Sequence, residues 1–72
     1  NPASNLLNVD LSFDNKDYLL DFFDKSGRKL NTFKLKDSRN QIDLANYENG
    51  VYYVRLSNNN QFQTFERIII MQ

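Results

Sequence analysis

Tyr18-Leu19-Leu20-Asp21-Phe22-Phe23-Asp24-Lys25-Ser26-Gly27 is the stretch on which the fold class turns. Its apolar density resembles one face of an amphipathic helix. The stretch is too short for that, is rich in aromatics that suit a pleated surface, and ends in a glycine turn, so it reads as a strand. Tyr18, Leu20 and Phe22 then lie on one face, with Leu19, Asp21 and Phe23 on the other. Asp24-Lys25-Ser26-Gly27 suits a type I turn closed by a glycine at positive φ, as in three-residue hairpins with a bulge. Residues 28–36 return as the partner strand. There Leu30 is out of phase with Phe33 and Leu35, which predicts a bulge at Asn31-Thr32, because a one-residue slip puts half a strand on the wrong face.

The same period extends in both directions from this hairpin. Upstream, Leu7, Val9, Leu11 and Phe13 alternate with Asn8, Asp10 and Ser12, and Asp14-Asn15-Lys16-Asp17 reads as a turn. Downstream, Asp37-Ser38-Arg39-Asn40 is a loop, and residues 41–44 are a short strand with Ile42 and Leu44 inward. Residues 45–50 form a turn or a single helical turn. Residues 51–56 are apolar on both faces, as in a central strand. Tyr52, Val54 and Leu56 are expected on its core face, while Val51 and Tyr53 flank Arg55, which needs a partner or an edge position. Ser57-Asn58-Asn59-Asn60-Gln61 is a hairpin tip, and residues 62–71 are the last strand. Six or seven short strands joined by short turns predict an all-β fold, a small immunoglobulin-like antiparallel β-sandwich forming one domain over residues 1–72.

Composition narrows function mainly by exclusion. Nine basic and nine acidic residues cancel, so no one-signed field draws the chain to nucleic acid or anionic lipid. Without Cys or His there is no disulfide, no thiolate or imidazole metal site and no Ser-His triad. Ser4, Ser12, Ser26, Ser38 and Ser57 sit in polar or turn contexts, and the acids lie mostly at turns or on polar strand faces. No catalytic residue, metal or cofactor is therefore expected. Asp14-Asn15-Lys16-Asp17 and Asp24-Lys25-Ser26 offer two carboxylates each, too few for calcium and off the EF-hand spacing. Gly27 and Gly50 stand too far apart for a phosphate loop. The longest apolar run, Ile68-Ile69-Ile70-Met71, is far short of the ~20 residues of a membrane helix, and no membrane insertion is expected. The opening Asn1-Pro2-Ala3-Ser4, without Met, suggests a piece of a longer polypeptide; if that parent is exported, its entry signal lies outside these residues.

One feature is left over. The last strand carries Phe65, Ile69 and Met71 on one face and Ile68 and Ile70, with Thr64 and Glu66, on the other. Either it is covered on both sides, or it exposes an apolar patch of the kind that marks a docking surface.

Four segments, in order, resemble the C-terminal sorting domains of Bacteroidota proteins secreted by the type IX system. They are Asn1-Pro2-Ala3-Ser4-Asn5 with Leu7 and Val9; Phe22-Phe23-Asp24-Lys25-Ser26-Gly27-Arg28-Lys29-Leu30; Ile42-Asp43-Leu44 with Asn49-Gly50-Val51-Tyr52-Tyr53-Val54-Arg55-Leu56; and Glu66-Arg67-Ile68-Ile69-Ile70. The chain departs from the family pattern at its Met71-Gln72 end, where a basic residue is frequent, and at Glu66, where Lys is common. The resemblance implies a tag recognised by the secretion machinery as a folded domain, through its shape and a surface patch. Its motif and recognition residues are Asn1, Pro2, Asp24, Gly27, Arg28, Gly50, Val51, Tyr52, Val54, Arg55, Leu56, Arg67, Ile68, Ile69 and Ile70, for which structural roles are favoured over direct contact. It further implies a fused cargo, transit through the periplasm to the cell surface or medium, and removal by a sortase-like protease. For Arg28, a pairing with Asp24 or Asp21 and a solvent-exposed guanidinium both remain open. Two other readings fit the residues: an immunoglobulin-like adhesion or carbohydrate-binding module, which should present an exposed aromatic platform, and a structural spacer with no apolar patch.

Overall fold

The computed structural model describes residues 2–3, 6–11, 17–58 and 62–72. Seven strands follow one another: β1 (Pro2–Ala3), β2 (Leu6–Asp10), β3 (Tyr18–Asp24), β4 (Lys29–Leu35), β5 (Arg39–Asp43), β6 (Gly50–Asn58) and β7 (Phe62–Ile70). One sheet has the order β1-β7-β6-β3-β4, and β2 and β5 form the other. All pairs are antiparallel except the two-residue β1, which runs parallel to β7. The fold is the expected all-β sandwich, with unequal layers of five strands and two. Asn1, Phe13, Asn15 and Asn60 lie outside the described residues, so the first turn and the last hairpin tip are not followed further.

Alternation decides which side of the larger sheet is covered. Tyr18, Leu20 and Phe22 of β3, Leu35 of β4, Tyr52 and Val54 of β6, and Ile68 and Ile70 of β7 are buried. The smaller sheet closes over them with Ile42, with half-buried Leu7 and Val9, and with Leu11 and Leu44 just beyond its strands. Phe22 is the centre of this core. Its ring lies 4.6 Å from that of Tyr47 and 5.2 Å from that of Tyr52, and the two tyrosines meet edge to face at 6.0 Å. The Tyr52 hydroxyl donates to the Glu48 carbonyl at 2.7 Å, so this buried polar group is satisfied. Two strands cannot cover five, and an open cleft of about 530 Å³ remains between β2 and the β6–β7 pair, where Thr64 and Glu66 line its side.

The β3–β4 hairpin shows how turn and core compete for register. The Gly27 amide donates to the Asp24 carbonyl and the Asp24 amide to the Arg28 carbonyl, both at 3.0 Å, which places Phe23 opposite Lys29. The core needs Leu20 opposite Phe33 and Tyr18 opposite Leu35. Counting from the two ends leaves one residue too many, and Leu30 takes up the difference, out of register and exposed. The bulge therefore falls one residue before the expected Asn31-Thr32. Strand β5 likewise starts at Arg39, inside the expected loop, because it pairs with β2 as far as Asp10.

Candidate recognition surface

The turn after β3 is tied by one carboxylate. Asp24 Oδ1 accepts from the Ser26 amide at 2.9 Å, the Ser26 hydroxyl at 2.7 Å and the Arg28 amide at 3.0 Å. The Arg28 Nε lies 3.4 Å from Oδ2, with its side chain 78% exposed. The Ser26 hydroxyl, then the Arg28 amide, hold the Asp24 carboxyl below its ordinary range. Gly27 completes the turn at φ +91°, where a Cβ would strain the backbone, so Asp24 and Gly27 are conformational and the Arg28 guanidinium stays reachable. Arg28 pairs with Asp24 and not with Asp21.

Asp21 belongs to Arg55. The two face each other across β3 and β6, and Arg55 donates to Asp21 Oδ2 from Nη2 at 2.6 Å and from Nε at 3.1 Å. The Thr32 hydroxyl donates to Oδ1 at 2.7 Å, and Lys29 Nζ lies 3.7 Å from the same atom. Burial pushes the Asp21 carboxyl up, but the Thr32 and Arg55 hydrogen bonds and the Lys29 and Arg55 charges outweigh it, and the net shift is downward. The Arg55 guanidinium also lies 5.4 Å from the Phe23 ring centroid. These groups occupy the outer face of the five-stranded sheet together with Leu19, Tyr53 and Phe65, which are 42%, 40% and 63% exposed.

Strand β7 is covered on one side only. Ile68 and Ile70 are buried, while Ile69 is half-buried and Arg67 exposed on the outer face. Pro2 stands opposite Ile69 in the short parallel pair. Past the strand, the Gln72 side-chain amide donates to the carbonyls of Leu44 at 2.8 Å and Tyr47 at 2.9 Å, and its backbone amide donates to Asn49 Oδ1 at 2.8 Å. Gln72 thus latches the last strand onto the β5–β6 turn. Gln72→Ala removes two net hydrogen bonds and is expected to cost about 1 kcal/mol, lowering the thermal midpoint by roughly 4–8 °C. An unchanged midpoint in calorimetry would exclude the latch.

Of the residues singled out from the sequence, Asn1 lies outside the described residues, Pro2 pairs with Ile69, and the others separate into three groups. Tyr52, Val54, Ile68 and Ile70 are core, and Leu56 is half-buried against it. Asp24, Gly27, Arg28 and Gly50 shape turns, Gly50 at φ +154°. Val51, Arg55, Arg67 and Ile69 share the outer face of the larger sheet. Asp21, Phe23, Lys29, Tyr53, Phe65 and Gln72 were not singled out as site residues. A signal existed for one pair: Asp21 and Arg55 are each a charge flanked by apolar residues within a strand, and each needs a counterpart.

Among the described residues no three acidic, His or Cys side chains converge as a metal site, and no helix is long and apolar enough to cross a membrane. Comparison with curated proteins finds no match. Among protein families, the model of the secretion system C-terminal sorting domain matches residues 1–71, a span that takes in all seven strands and the Asp24 turn. The chain belongs to this family, the C-terminal sorting domains of type IX secretion.

Proposed function

We propose that the type IX machinery reads this sorting signal as a folded domain, after its cargo has reached the periplasm, and that a sortase-like protease then removes it by cutting upstream. Family membership supplies the coarser statement: the domain is a type IX sorting signal, and it directs its cargo across the outer membrane to the cell surface or medium. The family is one of sorting signals and not of enzymes, and in this reading the domain does no chemistry and is the last unit of a longer protein.

One observation carries the folded-tag reading. The family-like residues are largely consumed in building the fold, since Tyr52, Val54, Ile68 and Ile70 are buried and Gly27 and Gly50 set turns. A buried side chain can be read only through the surface it shapes. Residues 1–72 fused behind an exported fluorescent cargo, in a type IX-competent Bacteroidota host, should send the cargo to the surface or medium, lighter by the 8.5 kDa tail. Cargo held in the periplasm with a protease-resistant tail would refute the sorting role, and release at full mass would refute the cleavage. The adhesion reading draws on Tyr53 and Phe65, both exposed on one face. It requires binding of the isolated domain to a glycan in affinity electrophoresis, with export independent of the tail.

A further inference from the structure

The chain is neutral overall, but the outer face of the five-stranded sheet is not. Among the described strand residues, register places Lys29, Lys34, Arg55 and Arg67 there against the single carboxylate of Asp21, a net charge of +3, in a chain whose charges sum to zero. Asp21 already engages Arg55 and Lys29. Lys34 and Arg67 have no ion-pair partner among the described residues.

The charges are ordered as well as unbalanced. Cross-strand pairing aligns Arg67, Tyr53, Phe23 and Lys29 in one row over β7, β6, β3 and β4. With strands ~4.8 Å apart, the row puts two aromatic rings between cations roughly 14 Å apart. The next row runs Phe65, Arg55, Asp21 and Thr32, and fixes Arg55 beside the Phe23 ring. Exposed aromatic side chains, Tyr53 and Phe65, set among surplus cations suit a protein partner, and that surplus sets the sign of the partner.

We propose that this face is where the secretion machinery docks, and that its occupant is a folded, acidic protein surface that offers apolar groups to the exposed aromatics. The proposal rests on the sorting function and names the surface that performs it. A second copy of the chain is the wrong occupant, because two faces of net charge +3 would meet. An anionic lipid surface fits less well, because burying the aromatics in it would also desolvate Asp21, Thr32 and Arg55 at the centre of the face, where a protein surface can supply polar partners.

The same fusion tests this. Tyr53→Thr/Arg67→Glu alters the row without touching the core, and Leu6→Thr/Arg39→Glu makes equivalent changes at exposed positions of the smaller sheet. With the tail still protease-resistant in the periplasm, the first pair should lower export about tenfold or more, and the second should leave it within about twofold. If the double variant loses protease resistance, Phe65→Thr alone serves, since that side chain is mostly exposed. Failure of the parent fusion to be exported removes the sorting reading itself. Export of the parent and of the face variants alike removes only the docking face. Vesicles of phosphatidylcholine and phosphatidylglycerol that pellet the parent chain, but not the Arg67→Glu chain, would overturn the protein occupant. A dimer that sedimentation shows to be lost with Arg67→Glu would do the same.

Discussion

Phe22→Ala is expected to leave the chain without a cooperative unfolding transition and its fused cargo confined to the periplasm. Phe22 is fully buried, and its ring is in contact distance of both Tyr47 and Tyr52, so truncation removes the piece that joins β3 to the β5–β6 turn. Phe-to-Ala changes in cores cost about 3–5 kcal/mol, from the lost transfer energy and the void together. A core of this size supplies only about 3–5 kcal/mol of net stability, so the loss is comparable to the whole. Urea titration followed by circular dichroism checks the stability, and the fusion checks export. The comparison with Phe65→Thr is informative, because both remove an aromatic from the same sheet. The buried one should abolish folding, and with it export. The exposed one should spare folding and affect only docking. A Phe22→Ala chain that melts cooperatively near the parent's midpoint would show that the Tyr47–Tyr52 pair does not depend on the ring.

Local alternation made much of this architecture readable from the residues alone. In β3 and β6 each apolar residue keeps its parity, so Tyr18, Leu20, Phe22, Tyr52 and Val54 fall on one side as expected. Gly27 marked its turn because the left-handed backbone there restricts the residue type. The division into five strands and two was not readable. It depends on β6 inserting between β7 and β3, and no local pattern encodes that long-range pairing. The outer face was hidden for a different reason. Leu19 and Phe23 are nearly as apolar as Tyr18, Leu20 and Phe22, so parity defines two faces of β3 without saying which one faces solvent. The Arg55–Asp21 contact spans 34 residues and Gln72–Leu44 spans 28, so each appears only once the strands are in register. For β7 the two alternatives combined: one face is core and the other carries exposed Phe65.

Asp21→Ala is expected to give the largest loss among the polar positions, about 2–3 kcal/mol. Its carboxylate is the one buried charged group among the described residues, and it satisfies Thr32 and Arg55 together. Deleting one partner of a buried ion pair typically costs about 3–5 kcal/mol, because the other is left uncompensated. The value is lower here because the Arg55 side chain is 32% exposed and its guanidinium can turn to water. Asp21→Asn keeps an acceptor for Thr32 and should lose less. The pH dependence tests the cause. Burial opposes ionisation of Asp21, but the Thr32 and Arg55 hydrogen bonds and the neighbouring cations prevail, and the folded pKa lies below the ordinary value of 3.8. The unfolded chain therefore binds the proton more tightly. The contribution of Asp21 is complete above that value and is lost as pH falls below it. Asp24, held down first by the Ser26 hydroxyl, acts in the same direction. Tyr52, pushed above its ordinary 10.0 by burial, contributes stability that is lost only as pH rises beyond 10.0. Between these limits the three groups leave stability flat. The difference between the parent and Asp21→Asn should accordingly be constant near neutrality and shrink as pH drops below 3.8. A difference that persists undiminished to the lowest pH at which both chains fold would mean that Asp21 acts through its shape and not its charge.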